Sequence, residues 1–299
     1  MKKLLIGTLF ILISLSIKSQ DIKIIVVDSL SNKPISYSIV YYKVEKTGTY
    51  SNENGVFYTD KLSHIIEVSH IGYYSRIIKL PISNDTVKMQ PQPYILNEII
   101  VKPSKRKVEI TGYYRFRSFF TITGFSGDEL AVYLPNNSDE NKLIKEIIIG
   151  FSTKNYIKNY LGIDFVSIFR INLYSKKENS TEPDSLLIKN DLVFTSEIIK
   201  PETIVNVSKY NIPMPKDGIF VSIEWVGIES KETKKLITDF KDRTEPFVTS
   251  TFDKTDAFVY ERNKFKDINW KLVDKNSKIS FALKKDNFYT PRISLSLYK

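Results

Sequence analysis

The sequence predicts an all-β protein in two parts, a small N-terminal β-sandwich and a larger C-terminal sandwich of jelly-roll or Greek-key type. Three observations predict it. Short runs dense in Ile, Val, Tyr and Phe recur between turn residues, and no helical period of comparable length competes with them. The 18 Tyr and 18 Phe against 11 Gly and 3 Met lean towards strand formers. With 299 residues, 42% of them hydrophobic and 26% charged, the chain is long enough for two cores.

The first element is an export leader at 1–20. Lys2 and Lys3 precede an apolar run at 4–13 and a small-residue exit at 14–19, so cleavage is expected near Ser19 or Gln20. Ser14, Ser16 and Lys18 end the run short of the roughly 20 residues a spanning helix needs, so no transmembrane segment is expected in the mature chain. Cys is absent, which removes disulfides and the cysteine that lipid attachment requires. The expectation is an exported protein of the periplasm or of the cell surface and outer membrane, not a lipoprotein. Formal charge is +10, or +7 once Lys2, Lys3 and Lys18 leave with the leader. Basic residues are interspersed with acidic ones except at 102–107 (KPSKRK), so they form a solvated face and no nucleic-acid partner is expected.

The small sandwich occupies 21–102. Its strands are expected at 22–27, 37–44, 56–58, 65–70, 75–80, 86–89 and 98–101, about seven in all. The turn 28–34 (DSLSNKP) follows the first, and 51–55 (SNENG) supplies Asn and Gly for positive φ. The order Lys33-Pro34, Asn52-Glu53-Asn54-Gly55-Val56-Phe57, Ser69-His70-Ile71-Gly72-Tyr73 and Leu96-Asn97-Glu98-Ile99-Ile100-Val101 resembles the carboxypeptidase-regulatory-like domain. The resemblance implies a seven-stranded, transthyretin-like sandwich, common in exported Bacteroidota proteins and often placed ahead of the plug of TonB-dependent receptors. A receptor barrel of about 22 strands would not fit in the roughly 200 residues that follow, so only the module is implied.

Pro103 and a run of charges mark a linker at 103–109, and the C-terminal domain follows at 110–299. Strands are expected there at 147–151, 167–174, 192–195, 203–207 and 219–226, separated by loops such as 135–141 and 176–184. The last run, 293–297 (ISLSL), alternates fully and suits a closing strand with one buried face. Residues 169–175 (FRINLYS), Pro183 with Leu186-Leu187, 207–212 (VSKYNI) and 218–225 (GIFVSIEW) resemble a β-sandwich region of exported Bacteroidota proteins. That resemblance implies fold and compartment and no activity.

Little in the sequence supports catalysis. His64, Glu67 and His70 have zinc-ligand spacing, but on a strand residues i and i+3 face opposite ways, and the chain has only 2 His. Gly124-Phe125-Ser126-Gly127-Asp128 departs from a nucleophile elbow at position 128, so a tight turn is expected. No metal, cofactor or catalytic residue is expected. Glu224 beside Trp225, or Asp128 beside Glu129, could serve a carbohydrate-active hydrolase if a partner carboxylate lay across a cleft.

Aromatic residues offer the best ligand surface, because rings stack on sugars and peptides. Tyr156 and Tyr160 in 154–162 (KNYIKNYLG), with Tyr113 and Tyr114 past the linker, are the candidate binding residues. The functional expectation is a non-catalytic envelope module that binds or assembles with a protein or glycan partner. The alternatives are the hydrolase and a periplasmic accessory of an outer-membrane TonB-dependent receptor.

Overall fold

A run dense in β-branched residues makes Ile22–Asp28 a strand (β1), with Ile24 and Val26 turned inward and fully buried. A computed structural model describes residues 22–59, 65–80, 82, 85–93, 108–114, 117–136, 142–152, 164–198, 200–238, 248–251, 258–273 and 290–298. Among these, the regular elements are strands and two short 3-10 turns, Ser196–Ile198 and Ser208–Tyr210. The protein is all-β.

The N-terminal part continues with β2 (Ile39–Tyr42), β3 (Thr47–Tyr50), β4 (Val56–Thr59), β5 (Ile65–Ser69), β6 (Arg76–Lys79) and β7 (Thr86–Met89). Two sheets, ordered β4-β1-β7 and β3-β2-β5-β6, enclose Ile24, Val26, Val40, Phe57, Ile66, Val68 and Val87. The predicted turns form where expected. Asp28 Oδ1 accepts from the Leu30 and Ser31 amides at 2.8 and 2.7 Å, and Gly55 takes φ +70° with Val26 O 2.6 Å from the site a Cβ would fill. The expected strand 37–44 is shorter, and β3 follows it unforeseen, because Thr47-Gly48-Thr49-Tyr50 carries no apolar alternation. The expected strand at 98–101 lies outside the described residues, as does most of the linker. The linker's last two residues, Val108 and Glu109, open a strand.

The C-terminal part comprises β8 (Val108–Gly112), β9 (Arg117–Ile122), β10 (Asp128–Leu134), β11 (Leu143–Gly150), β12 (Phe165–Lys176), β13 (Pro183–Leu186) and β14 (Leu192–Thr195). It continues through β15 (Glu202–Asn206), β16 (Ile219–Ser230), β17 (Leu236–Ile237), β18 (Val248–Thr251), β19 (Val259–Asn263), β20 (Asp267–Leu272), β21 (Thr290–Pro291) and β22 (Ile293–Tyr298). One layer is an eight-stranded sheet, β13-β12-β16-β10-β19-β20, with β14 beside β12 and β17 beside β16. The sheets β15-β11-β22-β8 and β21-β18-β9 form the opposite layer, linked by the Phe151–Val248 bridge. Leu130, Ile147, Ile149, Ile171, Ile223, Trp225, Val248 and Leu295 meet between the layers.

The expectation that the closing strand has one buried face is corrected by burial. All twelve residues of β16 are buried, and in β22 Ser294 and Ser296 are as covered as Ile293, Leu295 and Leu297. Ser294 lies between Gly112 of β8 and Ile148 of β11, and Ser296 between Ile110 and Glu146, so longer side chains flank Ser294 on one side and Ser296 on both. On the eight-stranded sheet the second face lies against the N-terminal sandwich. Tyr37 and Tyr50 pack there with Val166, Ile168, Val226 and Phe265 in one buried cluster. Gly48 is part of that contact, since a Cβ at 48 would lie 2.1 Å from the Phe265 ring.

Candidate functional site

Among the described residues, two places gather polar side chains. The first is the covered face of the eight-stranded sheet, where register places Arg170 (β12) opposite Glu224 (β16), Glu224 opposite Glu129 (β10), and Glu129 opposite Arg262 (β19). Cross-strand neighbours sit about 5 Å apart, so two carboxylates side by side demand cations. Arg170 Nη1 donates to Glu224 Oε1 at 2.9 Å and Arg262 Nε to Glu129 Oε2 at 2.7 Å. Lys264 Nζ bridges the pair, 2.8 Å from Glu129 Oε2 and 3.5 Å from Glu224 Oε2. Asn172 Nδ2 donates to both acids, at 2.7 and 3.2 Å, and the Ser222 and Tyr174 hydroxyls donate to Glu129 Oε1 at 2.6 and 2.8 Å.

The N-terminal sandwich completes this row. The Tyr50 hydroxyl donates to Glu224 Oε1 at 2.9 Å, and Arg170 Nη2 donates to the Tyr37 carbonyl at 2.7 Å. Asp191 receives Arg170 Nε at 2.6 Å and lies 3.0 Å from His70 Nε2. Burial pushes the Glu129 carboxyl up, but Lys264 and Arg262 outweigh it and hold the group well below the usual carboxylate range. Asp191 behaves alike, burial being overcome by Arg170 and the His70 contact. Burial, and next the Glu224 charge, push the Tyr50 phenol well up. Arg170 is 2% exposed, Glu224 1% and Glu129 0%. Chemically, the row consists of carboxyl groups fixed by basic side chains under a roof.

The sequence-named acids are thus partly brought together. Glu129 and Glu224 are neighbours, whereas Asp128 turns away to accept from Asn263 Nδ2 and the Phe125 amide at 2.7 and 2.8 Å. The Phe125–Asp128 segment is the expected tight turn, and Ser126 Oγ donates to the Val226 carbonyl at 2.5 Å. Glu67 pairs with Lys43 at 3.0 Å, and His64 lies outside the described residues. Among the described residues no group of three metal-ligating side chains converges.

The second place is a corner of the opposite layer. The closing strand breaks at Arg292 between β21 and β22 as it passes from one sheet to the other, and Pro291 supplies the break. The Arg292 amide donates to Thr249 O at 2.8 Å, and its carbonyl accepts from the Gly150 amide at 2.9 Å. β8 ends at the same corner: Gly112 takes φ +102°, and the Tyr113 amide donates to Ile293 O at 2.9 Å. These turns leave a half-open cavity of about 60 Å³ whose wall holds Tyr113, Tyr114, Ile110, Ile148, Glu202 and Arg292.

Two of the four candidate tyrosines, Tyr113 and Tyr114, therefore share one concavity, although Tyr113 is largely buried and also packs in the core. Tyr156 and Tyr160 lie outside the described residues. Sequence reasoning missed Arg292 and Glu202. The one signal for Arg292 was a Pro-Arg pair directly ahead of an alternating strand, which reads as a kink carrying a charge into an apolar layer. No protein-family model matches the chain, and no curated protein matches it.

Proposed function

We propose that the chain is a non-catalytic exported protein of the cell envelope that acts as a binding or assembly module, with its ligand contact at the Tyr113–Tyr114–Arg292 corner. The carrying observation is that corner, a concavity in which aromatic rings, apolar side chains and a guanidinium converge at the surface. The leader-like residues 1–20 and the resemblance of 21–102 to an envelope module support the compartment. A protein or glycan partner suits an aromatic wall, and a periplasmic accessory of an outer-membrane receptor is a special case of the same reading. The test is calorimetric titration with envelope oligosaccharides and peptides. Tyr114→Ala and Ile110→Ala should weaken any ligand about tenfold; unchanged affinity in both variants moves the site elsewhere.

One observation favours a hydrolase: Glu129 and Glu224 are adjacent, as paired acid and base would be. Against it, both are buried, and Glu129 is held ionised by two cations. A glycosidase acid needs a raised pKa and a substrate face.

A further inference from the structure

Arg292 is nine-tenths buried, yet its guanidinium is only half engaged. Nη2 donates to Glu202 Oε1 at 2.8 Å and to the Tyr114 carbonyl at 3.2 Å, while Nε is buried with no partner. Nη1 lies against Gly150, where an added Cβ would be 3.1 Å from it. The same point lies 2.5 Å from Thr249 Oγ1, a second buried group without a partner. Gly150 thus lets both side chains pack against its backbone, and Arg292 Nε and Thr249 Oγ1 stay buried without a partner. Arginine stays charged at any physiological pH and its planar fork matches a carboxylate in two parallel hydrogen bonds.

Among the described residues the carboxylate that answers it is Glu202, whose side chain is 61% exposed, and such surface pairs exchange readily. Ile110 and Ile148 give the cavity an apolar side beside the charge. Resting on the binding role proposed above, we infer that the corner takes an organic monocarboxylate, whose acid group replaces Glu202 on Arg292 while its body lies along Ile110 and Tyr114. The cavity's volume admits the acid group and its first carbons, so the remainder of the ligand extends outward. A uronic acid and the free C-terminus of a peptide present the same group.

Titration calorimetry separates these sources with two matched pairs, glucuronate against glucose and N-acetyl-leucine against N-acetyl-leucinamide. The member of each pair that carries the acid should bind at least tenfold more tightly in one pair or both, and the pair that responds names the source. Arg292→Gln should abolish the difference. Glu202→Gln, at an exposed position that leaves the fold intact, should tighten the acid several-fold by removing the internal competitor. Equal binding of acid and neutral probes, or no effect of Glu202→Gln on a bound acid, overturns the carboxylate assignment. So does the absence of binding below about 1 mM. Each of these leaves the broader binding role standing if a neutral glycan or peptide is retained by the wild type and lost in Tyr114→Ala.

Discussion

Arg170 commits every nitrogen of its guanidinium, to Asp191, Glu224 and the Tyr37 carbonyl, and so ties three segments of the chain together. Removing one member of such a buried set leaves a charge without its counterion, which costs about 3–5 kcal/mol. Glu224→Gln should lower unfolding free energy by that amount in urea titration with an unchanged slope. Tyr50→Phe, which deletes one hydrogen bond to a charged acceptor, should cost about 1.5–3 kcal/mol. The row also sets acid stability. Glu129 and Asp191 have folded pKa values below their unfolded ones, so their contribution is complete above about pH 4 and is lost as pH falls further. Glu229 acts in the opposite sense: burial and then Glu53 raise its carboxyl, so its penalty on folding fades as pH falls. Two groups outweigh one, and the urea midpoint should be flat from pH 7 to 5 and drop steeply below 4.

At the scale of elements, the sequence shows strands plainly and the second layer of burial hardly at all. β1 and β16 are legible because they are dense in β-branched and aromatic residues, and β22 because Ile and Leu alternate with Ser. β3 is not, because Thr47-Gly48-Thr49-Tyr50 is shaped by what lies across from it: Gly48 makes room for Phe265, and Tyr50 reaches Glu224. Likewise the Ser, Asn and Glu positions of β12 and β16 give no sign of a roof, since a period of two cannot say that another sheet will cover a polar face. The corner site was half legible, through Tyr113 and Tyr114, and hidden where it depends on β21 and β22 meeting β11 in space. Gly48→Ala tests the element-level account. With no room for a methyl, Phe265 must shift, and overpacking of this kind costs about 1–3 kcal/mol in thermal or urea unfolding. A neutral effect would mean that β3 does not bear on the C-terminal sheet.

For the whole molecule, the sequence proposes two units joined at 103–109, and the structure shows their contact to be both apolar and ionic. Tyr37, Tyr50, Val166, Ile168 and Phe265 share one cluster, and Asn52 Nδ2 donates to the Lys234 carbonyl at 3.0 Å beside it. Trypsin should cut first within 102–107, and the two fragments should co-elute because this contact survives the cut. First cleavage elsewhere would refute the linker, and separation of the fragments would refute the coupling. The central claim is a division of labour: the buried carboxylate row holds the two sandwiches together, and the corner at Arg292 meets the ligand. Glu224→Gln tests it most directly when turnover and stability are measured on the same samples. Envelope polysaccharide is incubated with wild type and variant, released reducing ends are counted, and melting temperatures are recorded. The predicted result is no release by either protein and a melting temperature lower in the variant by roughly 5 °C or more. Release by the wild type that disappears in a variant of unchanged melting temperature would contradict it.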